Sequence, residues 1–365
     1  MNNCANQNRI KFIAFHLPQF HTFPENDEWW GKGFTEWVNV KGAKKMFEDH
    51  NQPREPLNDN YYNMLSLDTL REQAELSVKY GIDGFCYYHY WFNGKKLMEK
   101  PVELLLSVKE INQQYCFCWA NEPWTRSWDG KNGCVLIDQN YGEEKEWEEH
   151  FQYLLPFFSD DRYIKVDNKP VFVIYRANSI RNYEQMICYL KERAKGSGFD
   201  GLYIIEEKNY YQNKKESKVS DAIIHFEPMN TLQNGRSLFE KIEQRLESEF
   251  FNLKNHNSIR YYNYDKVWYR LLKEYKKCDK NTIPGAFVDW DNTPRRKDNG
   301  MVFLKGNPKK FGKFLEHLVF EAEKKNSEFV FINAWNEWAE GTYLEPDKKY
   351  GFEYLEEIKR IKAEF

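Results

Sequence analysis

No stretch of this 365-residue chain approaches the roughly 18 consecutive apolar residues that a membrane-crossing helix needs. The first nine residues lack the apolar core of a secretory signal, so a cytoplasmic compartment with reduced, buried thiols is expected. The 7 cysteines are odd in number and form no metal-type doublet, which argues against a thiolate zinc site. Charge of one sign is also missing: 53 Lys and Arg against 56 Asp and Glu leave a formal charge of -3. That balance gives no electrostatic reason for nucleic acid or an anionic membrane as partner. Gly/Ser linkers, repeats and low-complexity tracts are absent, so a single domain over residues 1–365 is the simplest organisation. No GxGxxG follows the first strand-like run, which counts against a dinucleotide fold. No cofactor is expected. Neither is a metal, because His16, His21 and His89 fall on different elements without a close-spaced ligand pair.

What the chain has in quantity is aromatic side chains: 12 Trp, 24 Tyr and 27 Phe. Much of the Phe suits a core. The Trp residues cluster instead beside Asn, Asp, Glu and Arg, where a flat apolar face with a polar tip can stack on the C–H face of a sugar. Eight apolar runs of strand length punctuate the sequence: Ile10–His16, Gly84–Trp91, Tyr115–Ala120, Val171–Arg176, Leu202–Glu206, Ala222–Glu227, Gly285–Trp290 and Glu328–Trp335. Between them lie amphipathic segments of helical length: Leu67–Tyr80, Pro101–Ile111, Glu143–Phe158, Asn182–Lys195, Ser237–Glu249 and Pro308–Lys325. Alternating strands and helices at this length predict an α/β fold, a (β/α)8 TIM-type barrel with long βα loops. The longest connections are Pro18–Asp68 and Asn230–Thr282.

In such a barrel the C-terminal strand ends form one rim, so polar residues there are the candidate site. They are His16 and Gln19; His89 and Trp91; Asn121, Glu122, Trp124 and Trp128; His225; Asp289 and Trp290; and Trp335 and Asn336, with Glu337 and Glu340 after them. The densest signal is Trp335-Asn336-Glu337-Trp338-Ala339-Glu340-Gly341-Thr342, two carboxylates three positions apart among indoles. Glycosidic bond cleavage needs one carboxyl as acid and a second as base or nucleophile. Two acids at a helix start would equally be stabilised by the macrodipole, so the pattern alone leaves both possibilities open.

This octapeptide resembles the Asn-Glu-Trp-X-Glu-Gly signature of glycoside hydrolase family 99, the endo-α-mannosidases and endo-α-mannanases. Four further segments, His16–His21, Trp29–Trp37, Tyr87–Phe92 and Trp119–Trp124, resemble the WbsX-like glycosyltransferase family found with O-antigen and capsule genes. The resemblance implies an oligosaccharide or polysaccharide substrate and retention at the anomeric carbon. It implies Glu337 as base on the sugar 2-hydroxyl and Glu340 as general acid/base. The hydrolases carry His where this chain has Ala339. Three alternatives stay open. Asn121-Glu122-Pro123 resembles the acid/base segment of many retaining barrel glycosidases, with Glu337 then a direct nucleophile. Asp289-Trp290-Asp291 has the form that binds a metal with a nucleotide diphosphate-sugar. A Trp-rich rim also suits a non-catalytic glycan-binding protein.

Overall fold

The apolar runs become strands in the computed structural model, which describes residues 9–125, 135–209, 217–234 and 236–365. They are β1 (Lys11–His16), β2 (Gly84–Phe92), β3 (Tyr115–Trp119), β4 (Lys169–Ile174), β5 (Tyr203–Lys208) and β6 (Ala222–His225). After these come β7 (Thr282–Ile283), β8 (Gly285–Phe287) and β9 (Phe329–Asn333). The hydrogen-bonded order is β7-β6-β5-β4-β3-β2-β1-β9-β8. Every neighbouring pair in it is parallel. The two ends of that order, β7 and β8, are consecutive in the chain and separated only by Pro284. One short run therefore pairs first with β6 and then with β9, and the sheet nearly closes into a TIM-type barrel. Within that order, only β7 adds to the expected strands. It lies at the end of what reads in the sequence as a long connection.

Side-chain alternation divides the strands between lumen and helix layer. Phe15 of β1 packs on Tyr88 of β2, on Phe226 beyond β6 and on Phe331 of β9, with centroids 5.7, 5.4 and 5.6 Å apart. These four mark the inward face. Residues one position away, such as Tyr87, Phe117 and Phe172, face the helices. The Leu67–Tyr80 helix has the bounds its periodicity predicts, for legible reasons. The Ser66 hydroxyl accepts from the Thr69 amide, and Gly81 closes the helix with φ 84°. The helices Glu144–Phe158, Tyr183–Gly196 and Pro308–Lys324 likewise fall within about a residue of expectation.

The long connections hold more structure than the one helix expected over Ser237–Glu249, which itself runs on to Asn255. Pro18–Asp68 holds helices Pro24–Trp30 and Glu36–Gly42. Asn230–Thr282 holds helices Leu238–Asn255 and Tyr264–Lys277. Its aromatic run Tyr261–Tyr264 forms a strand, Arg260–Asn263, that pairs with Met301–Leu304 and leads straight into the second helix. Tyr261 and Tyr264 are buried there, so they are packing residues and not a substrate loop. Among the described residues no helix is long and apolar enough to cross a membrane.

Closure constrains Gly285. A Cβ at this position would lie 1.8 Å from the His225 carbonyl oxygen. Backbone cannot yield as a flexible side chain does, so Gly285→Ala forces β6 and β8 apart. We expect a loss of about 3 kcal/mol, the upper part of the overpacking range, in denaturant unfolding. An unchanged midpoint would show that the seam is loose.

Candidate active site

After β9 the chain makes a small hairpin in which Asn336–Glu337 pairs antiparallel with Thr342–Tyr343. Its turn is one 3-10 element, Trp338–Glu340, closed by Gly341 at φ 65°. Residues three apart eclipse in a 3-10 turn, which is why the Glu-X-X-Glu spacing stacks the two carboxyls on one side. The hairpin is pinned from several directions. Asn336 accepts from the Leu17 amide (2.7 Å) and donates to the Leu17 carbonyl (3.0 Å). Trp338 stacks on Tyr343 at 3.8 Å and donates to Glu345 (2.6 Å). The Asp291 amide donates to the Glu340 carbonyl (2.7 Å), and Arg54 donates to the Gly341 carbonyl (2.9 Å).

The two acids meet at Arg295, in the short helix Thr293–Arg296 that follows β8. Its guanidinium donates through Nη2 to Glu337 (3.0 Å), through Nη1 to Glu340 (2.7 Å) and through Nε to Glu36 (2.8 Å). Glu36 comes from the first long connection, where its amide donates to the Gln19 carbonyl (3.2 Å). The Glu36 and Glu337 side chains are 1% and 8% exposed, whereas Glu340 is 25% exposed, so the cluster opens toward solvent at Glu340. One positive charge faces three carboxyls, and with all of them ionised two negative charges would stand uncompensated in a buried site. Burial raises the Glu337 carboxyl to about 8, opposed by Arg295 and reinforced by Glu340 and Glu36. Burial raises Glu340 as well, again against Arg295. The pair therefore retains a proton near neutrality, held jointly as in any strongly interacting dyad.

Around this cluster stand groups from the inward strand faces. Glu337 acts electrostatically on Tyr88 and Tyr90, and Glu340 on Tyr175. Glu122 acts on Tyr90 and Tyr175 too, and it forms an ion pair with Arg176. Burial raises the Glu122 carboxyl despite that partner. Deeper in the lumen, Glu207 accepts from Asn209 (3.3 Å) and is held far above the usual carboxylate range by burial. Glu337, Glu340 and Glu122 thus gather at one mouth.

Other candidates from the sequence lie elsewhere, because strand alternation turns them away from the lumen. His16 bonds to Gln73 of the Leu67–Tyr80 helix (3.1 Å), and burial lowers it to about 3. His89 bonds to His150 (2.9 Å), on which Trp91 also stacks at 4.7 Å, all in the helix layer. His225 alternates with inward-facing Ile224 and Phe226. Trp335 packs on Phe85 (4.8 Å) and is fully buried, and Trp290 is buried as well. Asn336 and Asn121 act as backbone clamps. The Asn121 side chain accepts from the Arg176 amide (2.8 Å) and donates to the Arg176 carbonyl (2.9 Å), which aims Arg176 at Glu122. Gln19 is buried against Asn26. Trp124 packs on Tyr90 at 5.2 Å beside the mouth. Trp128 lies outside the described residues.

Asp289 and Asp291 do not present a free carboxylate pair. Asp289 accepts from Arg54 (2.9 Å). Asp291 accepts from His50 (2.8 Å), Gln52 (2.7 Å) and the Thr293 hydroxyl (2.6 Å). Among the described residues no group of three or more His, Cys, Asp or Glu could hold a metal ion. Arg295, Glu36 and Arg176 are the charged site residues that sequence reasoning missed, and Tyr88, Tyr90 and Tyr175 also stand outside the expected set. Arg295 sits in the connection that follows the Asp289–Asn292 segment, and Glu36 within the Trp29–Trp37 segment, but neither has a local pattern that marks it.

The model of the family described as Glycosyltransferase WbsX matches residues 12–358. The chain belongs to this WbsX family. Protein WxcX of Xanthomonas campestris pv. campestris strain B100 is 32% identical over 356 residues, 95% of this chain and 49% of WxcX. WxcX of strain ATCC 33913 is 33% identical over the same length. This WbsX-family chain thus spans about half the length of the curated relatives it matches. The endo-α-mannosidase of glycoside hydrolase family 99 from Bacteroides thetaiotaomicron, solved with bis-tris propane, superposes with TM-score 0.56 at 14% identity, over 98% of this chain and 97% of that one. A structure described as a glycoside hydrolase-like protein reaches TM-score 0.61 at 16% identity, over 97% and 94%. At these identities the likeness is one of fold. WbsX membership together with this barrel supports an enzyme acting on glycans.

Removing Arg295 tests the charge balance. In Arg295→Met three carboxyls lose their cation, at a cost of about 3 kcal/mol when they are ionised. Glu337, raised to about 8, is largely neutral at pH 5 and ionises as pH rises through about 8, so the loss should be small at pH 5 and grow toward pH 9. Denaturant midpoints of both proteins across that range would measure it. A pH-independent difference would contradict the account.

Proposed function

We propose that the chain cleaves or transfers glycosidic bonds of a bacterial surface polysaccharide, such as an O-antigen or capsule, with retention of configuration. The observation that carries this reading is that one arginine holds Glu337 and Glu340 side by side at the mouth of the barrel. Glu337 removes the proton from the sugar 2-hydroxyl, whose oxygen attacks the anomeric carbon. Glu340 protonates the departing glycosidic oxygen, leaving a 1,2-anhydro sugar. Glu340 then takes the proton of the incoming acceptor as that acceptor opens the strained ring, and Glu337 returns its proton to O2. The cycle needs one proton on the pair at its start, which is what a buried pair sharing a single cation favours. Glu340, the more open of the two, faces both leaving group and acceptor. Tyr88, Tyr90 and Trp124 supply ring faces and hydroxyls for the sugar, and Glu122 with Arg176 binds a hydroxyl pair opposite.

A nucleotide-sugar-dependent transferase is the second reading, and the family description favours it. The aspartates it would recruit for a metal-diphosphate are engaged with Arg54, His50 and Gln52. Thermal shift separates the two. Stabilisation by nucleotide diphosphate-sugars with Mn²⁺, and none by the purified surface polysaccharide or its repeat oligosaccharide, would reverse the order.

The decisive substrate is one without the 2-hydroxyl. The repeat oligosaccharide should turn over, while its 2-deoxy analogue at the cleaved residue should not. Glu337→Gln and Glu340→Gln should each lower kcat/KM by about 10²–10⁴ with retained folding. Turnover of the 2-deoxy analogue at a comparable rate would rule out the anhydro route.

The shared proton also sets the pH profile. kcat/KM should fall as pH rises past about 8, where the pair loses that proton, and fall again on the acid side, where a second proton silences the base. Initial rates from pH 4 to 10 would reveal the bell. A plateau extending beyond pH 9 would contradict it.

A further inference from the structure

The Leu238–Asn255 helix keeps most of its large apolar side chains out of the core. Toward the protein it turns Phe251, packed on Tyr261 at 5.2 Å, together with polar groups: Ser248 accepts from the Tyr261 amide (3.0 Å), and Gln244 donates to the Tyr261 carbonyl (3.2 Å). Toward solvent it turns Phe239, Ile242, Leu246, Phe250 and Leu253, exposed by 75, 58, 60, 69 and 78%, with Leu238, 78% exposed, off their line at the first turn. At about 100° per residue these five fall within an arc of roughly 80°, one continuous stripe along the helix. Scattered exposed apolar residues need no explanation, but a contiguous stripe marks an interaction surface.

The spacing of the stripe says what covers it. Positions 239, 242, 246, 250 and 253 read the same from either end about Leu246. Reversing the helix there places Phe239 over Leu253, Ile242 over Phe250 and Leu246 over itself. That is the relation a two-fold, antiparallel helix pair imposes, in which residue i meets j and j meets i. The charges beside the stripe agree. Arg245 and Glu249, 78% and 53% exposed and paired within the helix at 2.9 Å, flank its centre on one side. Across a two-fold axis at Leu246, Arg245 lies against the partner's Glu249, and Glu249 lies against the partner's Arg245. A lipid surface fits less well. The helix carries Glu240, Glu243, Glu247 and Glu249 against only Lys241, Arg245 and Lys254, whereas interfacial helices are rich in Lys and Arg.

We propose that this face docks a second copy of the chain through an antiparallel pair of Leu238–Asn255 helices. A contact of this kind, about 27 Å long, buries an area at the low end for stable interfaces, so the dimer forms reversibly with concentration. Sedimentation of the whole chain from 1 to 200 µM (about two decades of concentration) tests it. The mass should climb from 44.2 kDa toward twice that value. Leu246→Glu should hold it at the monomer while leaving thermal unfolding unchanged, because the side chain is exposed. Arg245→Glu should weaken the dimer about tenfold, and Arg245→Glu with Glu249→Arg should restore it. A monomer throughout, or a dimer indifferent to Leu246→Glu and to the charge exchange, overturns the proposal. So does a chain that stays monomeric yet floats with phosphatidylglycerol vesicles in a Leu246-dependent way.

Discussion

One guanidinium between three carboxyls organises the mouth of this barrel. Arg295 reaches Glu36 from the first connection, and Glu337 and Glu340 from the last. No single segment of the chain could build the site. The connections after β1, β8 and β9 arrive from separate parts of the sequence, and the arginine is where their charges balance. Asp291 repeats the arrangement a short way behind with opposite sign, one carboxylate receiving His50, Gln52 and the Thr293 hydroxyl. Each cluster ties the first long connection to the connection after β8, and the hairpin carrying the acids is tied in as well, through Arg295 in one case and the Asp291 amide in the other. Long loops at a barrel rim are usually the mobile part of the fold. Here buried charge ties three of them together.

The same tie bears on proton affinity. A carboxyl exchanges protons usefully near neutrality only when its environment disfavours the ion, and burial does this for Glu337 and Glu340. Unopposed, burial would leave both acids neutral and inert as bases. The arginine opposes that effect at both acids. The same groups that hold the loops thus shape the proton affinity of the pair.

The barrel was legible because its signals are local. Apolar runs bounded by polar residues mark strands, and the Leu67–Tyr80 periodicity with Ser66 and Gly81 at its ends marks a helix. Grouping polar residues by strand end worked less well, because a strand end has two faces. Glu337, Glu340 and Glu122 lie at the mouth, whereas His16, His89, Trp91 and His225 fall one position out of phase with inward residues such as Phe15, Tyr88 and Phe226. Counting parity from a known inward residue would have set those four aside. Trp335 and Asn336 belong to the right segment but face the packing that supports it. Arg295 and Glu36 could not be found this way, since a long-range ion pair leaves no trace in local pattern. The palindrome about Leu246 was readable in principle, but only exposure distinguishes such a stripe from an ordinary core-facing one.

Closure of the sheet joins its first strand to its last. β1 pairs with β9, and the Leu17 amide bonds to the Asn336 side chain, 319 positions further along. On the ribosome, β1 therefore waits with one edge unsatisfied until β9 has emerged. The two carboxyls that Arg295 holds, Glu337 and Glu340, lie just past the strand that ends this wait. The carboxyl cluster and completion of the sheet arrive in the same stretch of polypeptide, and a product stalled before it would expose a sheet edge without that cluster.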